Sequence, residues 1–122
     1  MDKILVIDDE QSIRDAFELA LMDESYEVVT AVDGLDGLKK FEEVQPDLIF
    51  LDLKMPRMNG VEALKEIRKL NAKVPIFIVT AFAREFMEEL DAITELGFEF
   101  ELAAKPMNAN QICQIAKVVL SR

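Results

Sequence analysis

The chain contains no histidine in its 122 residues. That absence excludes a histidine nucleophile or general base, phosphohistidine on this chain, and His-ligated zinc. Cysteine is nearly as scarce. Cys113 stands alone and can form no internal disulfide, which agrees with a reducing compartment. Basic residues are few: 14 Lys and Arg against 24 Asp and Glu leave a formal net charge of −10. A polyanion finds no basic surface here, so nucleic acid is not an expected partner. No apolar run approaches the ~20 residues that cross a bilayer, so a membrane is not expected either. Lys3 is the only early cation, and Asp8-Asp9-Glu10 cuts the Ile4–Ile7 run short, so no signal peptide is read. The expected setting is cytoplasmic. No GxxxxGK[ST] loop is present, which removes a Walker-type nucleotide site.

A hydrophobic fraction of 51% is enough for a real core, and the length predicts one domain over 1–122. Lys3–Ile7 reads as a β-branched strand. A helix is expected from Glu10 to about Asp23, with Ile13, Ala16, Phe17, Ala20 and Leu21 inward. Tyr26–Thr30 is a second strand. A helix with Leu35, Leu38, Phe41 and Val44 follows, entered at Gly34 and Gly37 and stopped by Pro46. Asp47–Leu51 is the third strand. Asn59 caps the next helix, with Glu62 as capping-box partner and Val61, Leu64, Ile67 and Leu70 inward. Val74–Val79 is the fourth strand, with Pro75 at its start. A helix from about Ala83 to Leu96 buries Phe86, Leu90 and Ile93 and closes at Gly97. Phe98–Ala104 is a two-faced edge strand, and Asn108 caps a last helix with Ile112, Ile115, Ala116 and Val119 inward. Five β–α units predict a parallel sheet with helices on both faces, and no linker, repeat or output domain is read.

The strand ends carry the chemistry. The first strand ends in Asp8-Asp9, the third in Asp52, the fourth in Thr80 and the fifth in Lys105. A parallel sheet brings these ends to one edge, where open α/β folds hold ligands. Any one of them is read more simply as a solvated strand end, but five at corresponding ends are not. Clustered carboxylates need a compensating cation. Oxygen-only ligands suit Mg²⁺, with Mn²⁺ as the substitute ion. Such an ion lets an anionic phosphoryl group approach Asp52, a side-chain type that accepts phosphate covalently. Lys105 can bind another phosphoryl oxygen as a point charge, and the Thr80 hydroxyl can donate to a third.

Val6-Ile7-Asp8-Asp9-Glu10, Asp52-Leu53-Lys54-Met55-Pro56 with Asn59-Gly60, Val79-Thr80-Ala81 and Lys105-Pro106 together resemble the receiver domains of bacterial two-component response regulators. The likeness spans essentially the whole chain and is greatest to stand-alone regulators that pass phosphate along a relay, as in sporulation. It implies a flavodoxin-like (βα)5 fold of strand order 2-1-3-4-5. It implies Asp52 as phosphoacceptor. Asp9, Asp52 and the Lys54 carbonyl would hold Mg²⁺, with Asp8 acting directly or through water, and Thr80 and Lys105 would contact the aspartyl phosphate. A cis bond at Lys105-Pro106 is implied as well. Partners would be a sensor histidine kinase or histidine phosphotransfer protein, and a downstream protein target. The implied docking residues are Gln11, Ser12, Ile13, Ala16, Met55, Pro56, Pro106 and Met107. The protein would signal as a phosphoacceptor, not as a conventional enzyme.

The chain departs from the family in two places. Thr80 and Lys105 lie 25 positions apart (105 − 80), a few more than is usual. Leu102 occupies the position of the usual switch aromatic, so phosphate readout through the fifth strand is expected to be weak or re-routed. Phe98 and Phe100 are read as core. Lys54 and Phe82 would flank the path of attacking water and tune phosphate lifetime. A rival reading keeps the fold but makes it a phosphorylation-independent interaction module. A phosphoester hydrolase would want a DxD nucleophile where Asp8-Asp9-Glu10 stands. An FMN carrier would want a Ser/Thr/Gly-rich phosphate loop there.

Overall fold

Short strand-like runs and period-3.6 hydrophobic stripes alternate five times along the chain. In a computed structural model, which describes residues 1–22 and 24–121, they form a five-stranded parallel sheet flanked by helices. The elements are β1 (Asp2–Ile7), α1 (Gln11–Leu21), β2 (Tyr26–Ala31), α2 (Gly34–Val44), β3 (Leu48–Leu51), α3 (Gly60–Leu70), β4 (Ile76–Thr80), a 3-10 turn (Ala83–Phe86), α4 (Met87–Glu95), β5 (Glu101–Ala104) and α5 (Ala109–Leu120). The strand order is β2-β1-β3-β4-β5, as expected. The expected end of the first helix, Asp23, lies outside the described residues, as does Arg122. Among the described residues no helix is long and apolar enough to cross a membrane.

Alternate strand residues feed two cores. Ile4, Val6, Leu48, Phe50 and Val79 face α1 and α5, where they meet Phe17, Leu21, Ile112, Ala116 and Val119. Leu5, Ile7, Ile49, Leu51, Ile76 and Ile78 face the other way, onto Phe41, Val61, Leu64, Ile67, Leu90 and Ile93. Continuous apolar strands are what burial on both faces requires. The helix starts follow the local chemistry. Asn59 and Asn108 each form a full capping box, with Glu62 and Gln111 respectively.

Three of the expected inward residues, Ala16, Leu35 and Leu70, turn outward, and Leu102 on the edge strand is 47% exposed. Leu35 stands in the first turn of α2, where Gly34 and Gly37 make the close approach instead. Leu70 is the last residue of α3, past the sheet edge. Leu102 shares the α4 side of β5, yet α4 packs mainly on α3 and the preceding 3-10 turn and leaves it uncovered.

β5 is also shorter than Phe98–Ala104. Its first three expected residues belong to the connection from α4, and Phe98 and Phe100 are half-buried against the core. A buried arginine accounts for this. The Arg68 guanidinium donates to the Glu99 carbonyl at 2.9 and 2.7 Å and to the Val74 carbonyl at 2.7 Å. It holds the lengthened connection against α3, so Phe98–Phe100 do not join the ladder.

Gly60 sets how closely α3 starts to the end of β3. Its N–H donates to the Leu53 carbonyl at 2.8 Å, and a Cβ there would lie 2.1 Å from the Asp52 carbonyl oxygen. Gly60→Ala is therefore expected to destabilise the fold by about 1–3 kcal/mol, the usual cost of overpacking. Urea denaturation measures it, and a wild-type midpoint would contradict the close approach.

Candidate functional site at the carboxyl edge of the sheet

Register brings the site together. Ile7 lies opposite Leu51, so Asp8 and Asp52 leave neighbouring strands side by side. Thr80 lies opposite Ala104, so Lys105 follows at once. Backbone hydrogen bonds extend the ladders past the strand ends, from Asp52 N to Ile7 O at 2.9 Å, Asp8 N to Ala31 O at 3.1 Å and Lys105 N to Thr80 O at 3.1 Å. Asp8, Asp52 and Thr80 are all buried, at 3%, 3% and 2% exposure.

The Lys105 ammonium joins the two carboxylates. Its Nζ lies 2.9 Å from Asp8 Oδ2 and 3.5 Å from Asp52 Oδ2. The second oxygen of each is held locally: Asp52 Oδ1 accepts from Leu53 N at 2.9 Å, and Asp8 Oδ1 from Glu10 N at 3.0 Å. Thr80 Oγ1 accepts from Phe82 N at 3.0 Å, which leaves its hydroxyl hydrogen to donate elsewhere. Burial and the charge of Asp8 push the Asp52 carboxyl up to about 6, although Lys105 and the Leu53 amide oppose the shift. Burial pulls the Lys105 ammonium down, but Asp8, Asp52 and Glu10 outweigh it and leave it above the usual lysine value.

One ammonium does not neutralise the acids gathered here. Single oxygens of Asp8, Asp9 and Glu10 lie within 4.8 Å of one another, with Asp8 buried and the other two exposed. This oxygen-only, solvent-open donor set fits a hard divalent cation. Asp8 and Asp9 of the expected ligand set are in it. Glu10 joins the group, and Asp52 stands outside it, tied to Asp8 through Lys105. Glu10 was legible only as the third carboxylate of a run.

Lys54 and Phe82 meet at the rim. Lys54 Nζ sits 4.5 Å from the centroid of the Phe82 ring and 3.4 Å from Glu85 Oε2. Glu85 thus joins the two rim residues expected from sequence. Of the expected docking residues, Gln11, Ser12, Ala16, Pro56 and Pro106 are exposed. Ile13 and Met107 lean on the α1/α5 core and Met55 on the other, so each is only half available. The Lys105-Pro106 bond is cis. Leu102 falls on the edge strand, three residues before Lys105, and is not among these groups.

A family model for the response regulator receiver domain matches residues 4–117. The alkaline phosphatase synthesis transcriptional regulatory protein PhoP of Bacillus subtilis is 38% identical over 120 residues, covering 98% of this chain and 49% of that protein. A CpxR homolog of Haemophilus influenzae is 36% identical over 124 residues, covering 100% of this chain and 52% of that one. The chain thus spans about half the length of these curated relatives. A CheY-like receiver domain protein from Methanospirillum hungatei superposes with a TM-score of 0.87 at 30% identity, covering 99% of this chain and 94% of the other. TrrA from Thermotoga maritima, solved in complex with Mg(2+)-BeF, superposes with a TM-score of 0.80 at 33% identity, covering 98% and 99%.

The raised Asp52 carboxyl has a consequence for stability. The folded chain holds that proton more tightly than the unfolded one, from an ordinary value of 3.8 to about 6. Its favourable contribution is present below pH ~4 and lost as pH rises through about 6. Ionised Asp52 then costs about 1–3 kcal/mol at neutral pH. Asp52→Asn is expected to raise the melting temperature at pH 7 in EDTA, with the gain fading between pH 6 and pH 4. Equal gains at both pH values, by calorimetry, would count against this.

Proposed function

The chain belongs to the response regulator receiver domain family, and from that premise we propose that it takes a phosphoryl group onto Asp52 from the phosphohistidine of a sensor kinase or phosphotransfer protein, with Mg²⁺ as cofactor. The observation that carries the reading is the buried Asp52, held beside Asp8 by the Lys105 ammonium. A carboxyl at about 6 is mostly ionised at pH 7, and is therefore nucleophilic. An Asp52 oxygen attacks phosphorus, the P–N bond to the donor imidazole breaks, and the imidazole leaves with the bond's electron pair and takes up a proton. Lys105 meets one equatorial oxygen as a point charge, and Thr80 donates to another. Asp8, Asp9 and Glu10, with Asp52 and the Lys54 carbonyl, are the groups that would hold the cation. When bound, it would offset the charge that builds on the transferring phosphoryl group.

Lys54 and Phe82, stacked at the rim, narrow the approach of water and lengthen the life of the phospho-form. Partner docking falls to Gln11, Ser12, Ile13 and Ala16 on α1, and to Met55, Pro56, Pro106 and Met107 on the two loops beside Asp52. Readout through β5 is weak or re-routed, because Leu102 stands open to solvent in the aromatic position. The output then runs through protein–protein contact or onward relay in the cytoplasm. A net charge of −10 argues against DNA contact by this segment.

Incubation with a small phosphodonor and Mg²⁺ should give one phosphate adduct by intact mass, absent in Asp52→Ala. No adduct on the wild-type chain would sink the reading. Phe82→Ala should then shorten the adduct's half-life roughly three- to tenfold, a change of about 0.7–1.4 kcal/mol in barrier. An unchanged half-life would remove the shielding role.

A further inference from the structure

α2 begins at a buried carboxylate that serves two masters. Asp33 Oδ1 accepts from Asp36 N at 2.8 Å and caps the helix. Asp33 Oδ2 accepts from Arg57 Nε at 2.6 Å, and Arg57 Nη2 contacts the same oxygen. The Asp33 side chain is 4% exposed and that of Arg57 is 59% exposed. Burial alone would push the Asp33 carboxyl up. The Asp36 amide and Arg57 overcome that and hold it below the ordinary carboxylate value.

Arg57 occupies an unfavourable backbone conformation. Its φ is +66°, in the left-handed region where a Cβ crowds the following carbonyl and glycine is free of the penalty. An arginine there needs a compensating contact, and the fork onto buried Asp33 is that contact. Arg57 lies in the middle of the loop that leaves Asp52 and carries Lys54, Met55 and Pro56. One residue on, the same two segments meet through their backbones. Gly34 N donates to Met58 O at 3.0 Å, and a Cβ on Gly34 would lie 2.3 Å from that oxygen.

We infer that Arg57 is a positioning residue: its ion pair with Asp33 latches the loop after the phosphoacceptor to the start of α2 and so fixes the Lys54 carbonyl relative to Asp52. The inference rests on the proposed function in treating that carbonyl as a cation ligand. It adds a specific anchor outside the acidic site, 24 positions away in sequence (57 − 33).

Arg57→Gly separates this role from a structural one, because it relieves the positive φ while it removes the latch. Its melting temperature should fall little, because relief of the positive φ offsets part of the cost of leaving Asp33 without its cation. Its Mg²⁺ dissociation constant, from amide shifts in a Mg²⁺ titration, should rise roughly three- to tenfold. Amide hydrogen exchange at Lys54–Asn59 should quicken by a similar factor. Asp33→Asn keeps a capping oxygen but loses the charge, and should match Arg57→Gly in Mg²⁺ affinity and loop exchange. The double variant should add nothing to either single change. Arg57→Lys should recover only part of the effect, since it lacks the fork. Mg²⁺ affinity and loop exchange within twofold of wild type in Arg57→Gly would overturn the latch. A wild-type chain that binds no Mg²⁺ would fail the functional reading, and loop exchange alone would then decide for or against the latch.

Discussion

One ammonium placed between two buried carboxylates governs the chemistry of this edge. Lys105 reaches Asp8 and Asp52 from the far side of the sheet, across β4. Without it, two charges of one sign would sit side by side away from water, and one of them would have to take up a proton. With it, Asp52 remains an anion at neutral pH yet is still raised, so the site is poised and not relaxed. The residual negative charge of Asp9 and Glu10 then opens toward solvent, where a cation can join. A nucleophile for an anionic substrate needs both features: burial that sharpens its charge, and positive groups that admit the incoming phosphoryl group.

The surrounding backbone serves this arrangement. Parallel strands end in register, so each functional side chain leaves the sheet at a defined step from its neighbour. Glycines are used where two segments approach too closely for a Cβ. Gly60 seats α3 against the Asp52 carbonyl, and Gly34 seats α2 against Met58. The β3–α3 loop is thus held at its far end by backbone contact and at its middle by Arg57. Strain is accepted at Arg57, where an ion pair offsets it.

The side of the molecule beyond β4 is built differently. Arg68 gives two donors to the Glu99 carbonyl of the α4–β5 connection and a third to the Val74 carbonyl just before β4, so the lengthened interval between Thr80 and Lys105 ends in an anchored turn and not in extra strand. Phe98 and Phe100 fill core there, while Leu102 is left on an uncovered edge. The site around Asp52 and the edge strand therefore differ in cover: Asp8, Asp52 and Thr80 are buried, whereas β5 is short and open on one side.

Much of this was legible from residue order alone. Period and turn chemistry specify β1 to α5, because a helix or strand must bury one face and its caps depend on residues three apart; Asn59 with Glu62 is such a case. The strand-end residues Asp8, Asp52, Thr80 and Lys105 were legible for the same reason, since a parallel sheet sends like ends to one edge. Tertiary packing alone decided which acids are buried, placing Asp8 inside and Asp9 outside, and gathered Glu10 with them. It turned Leu35, Leu70 and Leu102 outward, because helix and sheet ends run past the neighbour that would cover them. It also paired Asp33 with Arg57, and Arg68 with Glu99. Those contacts join residues 24 and 31 positions apart, and their distances follow from how the loops cross, which no local periodicity encodes.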